Sequence, residues 1–507
     1  VRNFYEGNPS AGASIPWAAW ALPLIGWLPF LLALYLVMIA MMVILRRQWM
    51  DNERLLYPLM QPSMALIDRE PGGQIPALLR SGLFWLGVSI PFIVGAVNAL
   101  HAYNSNLPRI ELQTRLPLFD GAAYLTPSIS FAAIGFTYFL SQDIALGIWL
   151  FNLLAKLQEA GMNIVGIPRG ATMDWVTVPI LAHQNIGAMI VFVLFGLCMG
   201  RAHLRSVCRK ALLDDSAVDD TGEIMSYRTA VLVMLGGIGV MWVWLCESGL
   251  SIWAAGVSLF IVFVIFIGLT RMVTEGGFFN TRAPINPGNF MVTGFGVNAL
   301  GGAGVTALGY SFIWAGELRL FVMAATANGL KLVENIRANR RILPWAIVLA
   351  ILLSAAGSVW IGLTLGYNHG AVNLHPNYTG MVHYPFSFIT RNILNGPSVD
   401  WTGWILRAWG GTFMALLMLA RQRLHWWPIH PLGLPISSMW MTDRLLMSVF
   451  TAWLIKGVML RYGGMPLYRK FKPLFIGLVA GQFLSMAFWL VVDYFTGMTG
   501  NMVYLME

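Results

Sequence analysis

The chain is short of charge. Only 11% of its 507 residues are Asp, Glu, Lys or Arg, against about 25% in an ordinary soluble domain. With 57% hydrophobic residues, that shortage excludes a conventional soluble enzyme and a disordered chain. Cysteine is equally scarce. Cys198, Cys208 and Cys246 lie far apart. They make no CxxC, zinc pattern or disulfide framework and read as small apolar residues. There is no GxxxxGK[ST] string and no soluble stretch to house one, which excludes an ATP-driven pump. No HExxH or GxSxG appears, so a membrane protease or lipase has no visible metal or nucleophile. The glycines of 294–304 follow no strand and open no dinucleotide fold. No charged region precedes a short apolar run, so no signal peptide is read.

What the sequence has is long apolar runs. A helix needs about 20 apolar residues to span the hydrocarbon core. Runs near 21–45, 81–103, 184–203, 228–247, 251–270, 342–365, 403–421, 442–460 and 472–495 meet that length. Two more, 125–140 and 143–160, are separated by Ser141 and Gln142 and read as a tight helical hairpin. The Gly-rich stretch 290–330 reads as two short or broken helices. The segment 424–441 is broken by Pro428, Pro431 and Pro435. The expectation is an all-α polytopic membrane protein of about 12–14 crossings, forming one transmembrane domain over 1–507. Its first fifteen residues are polar and begin with Val1, so a fragment lacking upstream helices is expected.

Basic residues set the expected orientation. With the N-terminus outside, the inside loops include 46–80, 201–228 and 461–472, and 366–402 is an outside loop. Inside loops then hold 22 of the 32 Lys and Arg, and outside loops hold 6. That split follows the positive-inside rule and leaves both ends outside. It also requires 424–441 to cross, because 421–423 and 461–472 are both basic with one clear span between them. Broken backbone at membrane depth is tolerated where it is buried in protein or lines a wet cavity. A PLxxP unit follows an inside Arg at both 58–62 and 431–435, a faint echo of a parallel repeat.

Several strings occur together in order: LRRQWMDNERLLYPL (45–59), SFAAIGFTYFLSQDIALGIWLF (130–151), RMVTEGG (271–277), WWPIHPLG (426–433) and KGVMLRYGGMPLYRKFKPLFIGLVAGQF (456–483). With these the chain resembles the oligopeptide-transporter (OPT) superfamily, and more closely its uncharacterised bacterial relatives. The resemblance implies a secondary transporter in a bacterial inner membrane, with re-entrant or broken segments around a central site. That superfamily contains proton-coupled importers of small peptides and metal chelates. The full signature strings of the peptide transporters are absent.

Ionisable groups inside spans are costly and tend to be functional. Glu275 precedes Gly276 and Gly277 at the end of an apolar run. It reads either as a proton or substrate site or as a carboxylate paired with Arg271 one turn back. Glu317 and Arg319 interrupt another apolar stretch. With Asn298 and Tyr310 they either line a polar cavity or form a short loop. Gln142 and Asp143 sit at the hairpin tip, where Asp143 either caps the following helix or lines a pathway. Asn280 follows the glycine break and joins this set of substrate or proton-coupling candidates. Lys456 and Arg407 are expected to snorkel to the interfaces, Asp443 and Arg444 to pair locally, and Asp493 to be solvated. Asn98 and His101 read as hydrogen-bonded interface residues. His425 and His430 miss the spacing of a helical zinc pair. No catalytic group, metal or cofactor is expected.

The function that fits is a secondary active transporter of a small solute, peptide or metal chelate, with proton coupling. The alternatives are a membrane-embedded enzyme acting on a lipid or isoprenoid, and a structural membrane subunit. Expected partners are membrane lipids, the solute and further copies of the chain; nucleic acid is not expected.

Overall fold

The computed structural model describes residues 2–7, 15–67, 76–168, 170, 172–279, 281–317, 322–334 and 340–501. In chain order the helices are α1 (Arg2–Glu6), α2 (Trp17–Arg47), α3 (Met60–Ile67), α4 (Gly82–Tyr103), α5 (Phe131–Tyr138) and α6 (Gln142–Val165). Then come α7 (Pro179–Met199), α8 (Arg201–Leu213), α9 (Tyr227–Glu247), α10 (Ile252–Gly276), α11 (Pro287–Phe295) and α12 (Val297–Gly309). The last six are α13 (Ser311–Trp314), α14 (Met323–Val333), α15 (Leu343–His369), α16 (Pro376–Asn395), α17 (Trp401–Arg423) and α18 (Trp440–Thr496). A two-stranded antiparallel ribbon pairs Leu116–Leu118 with Ala123–Leu125. Among the described residues, eight helices (α2, α4, α7, α9, α10, α15, α17 and α18) are long and apolar enough to cross a membrane. The protein is an all-α polytopic membrane protein.

The chain divides into two compact units, each discontinuous in sequence. The first comprises 1–54, 196–267 and 285–403. Here α2 packs on α9, where a Cβ at Gly237 would lie 2.5 Å from the Val37 side chain. Trp27, Phe30 and Trp244 form an aromatic cluster, with Trp314 edge-on to Phe30. Arg46 grips Glu223 with two bonds of 2.6 Å, the bidentate geometry favoured by a guanidinium. The 214–226 loop lies outside the spans. In it, the Thr221 backbone N–H and hydroxyl donate to Asp219 and hold its carboxyl below the usual range. A hydrogen bond from Lys210 to Asp214 holds that ammonium above its usual range. The stretch 201–228 thus contains an amphipathic helix, α8, with Val207 and Ala211 buried and Arg201, Arg205 and Arg209 exposed.

The Gly-rich 290–330 region forms α11 to α14, and α12 is kinked at Gly301 (φ 71°). Asn286 caps α11 by accepting from the Gly288 N–H at 2.8 Å and from Ser311 Oγ at 2.6 Å. The stretch 366–402, expected to be an outside loop, carries the end of α15 and the whole of α16.

The second unit comprises 55–195, 268–284 and 404–507. Its core joins α4, α5 and α18 through Phe84, Val88, Tyr138 and Phe475. The Tyr138 ring stacks between Tyr468 and Phe475 at 4.8 and 3.7 Å. Glycines allow the close approach. A Cβ at Gly87 would lie 2.1 Å from the Leu474 carbonyl oxygen, and one at Gly477 2.2 Å from that of Phe84. Small residues let membrane helices approach closely in this way.

Two expectations change here, and the proline-broken segment is broken as its sequence predicts. The 125–140 run yields only the eight-residue α5, about 12 Å long, which is too short to span about 30 Å of hydrocarbon. Pro127 and Ser130, both before its start, hold the preceding chain extended. The 461–472 stretch is helical within α18, broken only at Gly464 (φ 60°). The segment is not helical from 424 to 439, and α18 begins at Trp440. The 424–439 backbone is extended and turning, with one 3₁₀ turn over Pro431–Ile436, because its prolines remove donors and clash with a continuous helix.

Candidate functional site

The end of α10 brings charge into an apolar setting. Arg271 and Glu275 are one turn apart, and Arg271 Nε donates to Glu275 Oε2 at 2.9 Å. The helix stops at Gly276, and Gly277 takes φ +59°, a conformation that favours glycine. The other carboxylate oxygen meets His430 Nε2 at 3.0 Å. His430 Nδ1 accepts from the Leu432 backbone N–H at 3.2 Å. That assigns the imidazole proton to Nε2, where it donates to Glu275. Glu275 is therefore balanced by Arg271 and oriented by a neutral His430. The two PLxxP units flank this break. A Cβ at Gly276 would lie 2.8 Å from Leu432, and one at Gly277 3.1 Å from Pro58.

From His430 the non-helical segment runs along α6. A Cβ at Gly147 would lie 2.3 Å from the His430 carbonyl oxygen, and one at Gly433 2.4 Å from the Gly147 carbonyl oxygen. Pro431, Leu432, Gly433, Pro435 and Ile436 are buried. Buried backbone needs partners, and neighbouring side chains supply them. Asn152 of α6 donates to the Ser437 carbonyl at 2.8 Å, and Thr442 to that of Ile436 at 2.8 Å. Asn185 of α7 meets Ser437 Oγ at 3.1 Å and Ser438 Oγ at 2.8 Å.

A second charged cluster lies at the far end of this segment. Lys156 Nζ is 2.6 Å from Asp443 Oδ2 and 3.0 Å from Glu159 Oε2. Asn152 Nδ2 donates to Asp443 Oδ1 at 2.7 Å. All four residues are buried. From Gly147 to Lys156 is nine residues of α6, about 14 Å along its axis. Beside this end, Arg282 lies near the Trp175 and Trp440 rings, at 5.5 and 5.2 Å. These side chains line a small recess with Ser438 and Met439, with room for about one water molecule.

The structure separates the residues singled out in the sequence. Glu275 pairs with Arg271 as one of its two readings required, and also with His430, which spacing alone did not suggest. Asp143 does not cap α6 from the N-cap position, which Ser141 holds. It lies in the first turn and pairs with Arg421 at 2.7 Å. Gln142 donates to the Trp453 carbonyl at 3.3 Å. Asn298 is exposed, Tyr310 packs edge-on to Trp27, and Glu317 is buried. Asn280 and Arg319 lie outside the described residues.

Lys456 does not snorkel. It is buried and donates to the Leu140 carbonyl, just past the end of α5, where unpaired carbonyls favour a cation. Arg407 does not snorkel either; it is buried over the Trp404 ring and bonded to His183. Asp443 pairs with Lys156 rather than Arg444, which lies over the Trp440 ring. Asp493 accepts from the Tyr103 hydroxyl at 2.6 Å. Asn98 and His101 bond to the carbonyls of Ile110 and Leu107. Lys156, one of the six Lys and Arg assigned to outside loops, is instead a buried ion-pair member. The signal for that pairing was its spacing from Glu159, three residues on.

No curated protein and no solved structure matches the chain. Residues 1–505 match the family described as "Family of unknown function (DUF6785)". That match takes in nearly the whole chain, including every residue of both charged clusters, and the protein belongs to the DUF6785 family.

Proposed function

We propose that this protein is an OPT-like secondary active transporter of the bacterial inner membrane, with both chain ends outside. It moves a small solute, of the peptide or metal-chelate class, with proton coupling. One observation carries the reading: Glu275, partly buried at a glycine break, is held between Arg271 and a His430 that belongs to a non-helical segment. Intramembrane ionisable groups beside broken helices are the usual marks of a substrate or ion path.

The geometry supports a specific proton step. A proton arriving at His430 Nδ1 displaces the Leu432 N–H, since two donors cannot face each other. The corner at 430–433 opens, and Glu275 holds the new imidazolium. Arg271 competes for the same carboxylate, so the proton redistributes an existing ion pair. Glu317 is the second candidate carboxylate.

The test is uptake of small peptides and metal chelates into reconstituted vesicles under an imposed pH gradient. Glu275→Gln is expected to abolish gradient-driven uptake, and His430→Gln to flatten its pH dependence. Unchanged pH-driven uptake in the Glu275→Gln/Glu317→Gln double variant rejects the reading.

A further inference from the structure

We propose that the corner of α18 around Gly464 docks the headgroup of an anionic phospholipid, with Arg461, Arg469, Lys470 and Lys472 as the binding cations. This surface is separate from the Glu275 pair and does not depend on the transport reading. The argument begins with the path of the helix. The Tyr138 hydroxyl meets Met459 Sδ at 3.7 Å, and its ring stacks on Tyr468 and Phe475. Met459 and Phe475 are sixteen positions apart, about 24 Å along a straight helix, too far for one side chain to bridge. The chain therefore folds back where Gly464 takes φ 60°. The two halves, 440–463 and 465–496, are about 36 and 48 Å long. Each exceeds the hydrocarbon thickness of about 30 Å, so their corner lies at a membrane face.

The corner is basic without compensation. Arg461, Arg469 and Lys470 are exposed, and Lys472 is half-buried, 5.9 Å from the Phe139 ring. Among the described residues, none of the four makes a hydrogen bond or an ion pair. No Asp or Glu occurs from 444 to 492. The 60–80 stretch shares a core with Tyr468 through Leu78 and Leu79. It holds Asp68 and Glu70 against Arg69 and Arg80 and adds no net negative charge. Asp143 is taken by Arg421.

Membrane topology accounts for the basic residues but not for the missing acids, since Asp and Glu contribute little to the positive-inside bias. The 201–228 stretch shows the alternative. It carries five basic and five acidic residues, and Lys210 pairs with Asp214. Four unpaired cations beside membrane spans are the charge complement of anionic headgroups, and a guanidinium matches phosphate with its forked donors. A second observation separates a lipid from a free anion. Tyr462 and Met465, on either side of Gly464, are 81% and 53% exposed. A lipid would cover this apolar rim with its chains and hold the tyrosine hydroxyl among headgroups. A soluble anion would leave the rim in water.

The experiment titrates the full chain, in a non-ionic detergent, with dioctanoyl phosphatidylglycerol, dioctanoyl phosphatidylcholine or inorganic phosphate and follows the thermal unfolding midpoint. Saturable stabilisation by phosphatidylglycerol alone, weakening as salt rises, is expected. Each cation near an anionic surface is worth a factor of about five, so Arg469→Gln/Lys470→Gln is expected to weaken the phosphatidylglycerol response by about tenfold or more. Arg205→Gln/Arg209→Gln, at exposed positions of α8, is the control and is expected to leave it unchanged. If the α18 double variant does not fold, Arg461→Gln replaces it, with a loss of about fivefold expected. Equal responses to phosphatidylglycerol and phosphatidylcholine, or an equal response to inorganic phosphate, overturn the proposal. So does a phosphatidylglycerol response that the α18 variant leaves intact or that both double variants weaken alike.

Discussion

At the residue scale, the molecule places its charges where a hydropathy reading does not look. Lys156, Lys456, Arg407 and Asp443 are all buried, although each lies where loop or interface chemistry was expected. A one-dimensional pattern shows that a charge is near the end of an apolar run. It does not show which neighbouring helix supplies the counter-charge, because Lys156 and Asp443 are 287 positions apart. Local pairs such as Arg271–Glu275 are legible because helix geometry brings residues four apart onto one face. Their third member, His430, is not. Removing one partner from a buried ion pair strands the other. Lys156→Met is therefore expected to destabilise the protein by about 3–5 kcal/mol. Glu159→Gln, which leaves the Lys156–Asp443 pair intact, is expected to cost far less. Unfolding of both variants in detergent, followed by tryptophan fluorescence, checks the order. Equal losses would mean that the Lys156–Asp443 pair does not hold the cluster together.

At the element scale, the long apolar helices were legible because their length and composition leave no other use for them. The broken segment 424–441 was legible as broken, since three prolines forbid a helix. What covers it was not. Its cover is α6, and the contact depends on Gly147 and Gly433 facing each other's carbonyls. Glycine spacing in a sequence does not say which partner it admits. The same applies to α4 and α18, which meet at Gly87, Gly477 and Gly481. A side chain at Gly477 would meet the Phe84 carbonyl oxygen at 2.2 Å, and backbone cannot yield as a flexible side chain does. Gly477→Val is expected to push these helices apart and cost about 1–3 kcal/mol, as overpacking does. Gly236→Val, where nothing lies within 4 Å of the added Cβ, is the matched control. Similar unfolding midpoints for the two variants would show that close α4–α18 approach is dispensable.

At the scale of the whole molecule, the membrane class follows from composition, while the division into two interleaved units does not. Each unit collects three separated stretches of chain, and no composition shift marks where they meet. Both PLxxP units fall in the same unit and flank one glycine break, a spatial relation the sequence echo only hinted at. Orientation is the property of the whole chain that basic residues predict most directly. The amphipathic α8 carries exposed Arg201, Arg205 and Arg209, which belong on the cytoplasmic side under that rule. Exposed Cys208 lies on the same helix. With Cys198 and Cys246 changed to Ser, Cys208 is expected to react with a membrane-impermeant maleimide in inside-out vesicles and to stay protected in right-side-out ones. A cysteine introduced at exposed Asn106, in the segment after α4, is expected to show the reverse. Labelling of both sites from the same side would break the alternation between α4 and α8, and with it the assigned direction of every crossing between them. The charge bias would then reflect anchoring to anionic headgroups and not insertion topology.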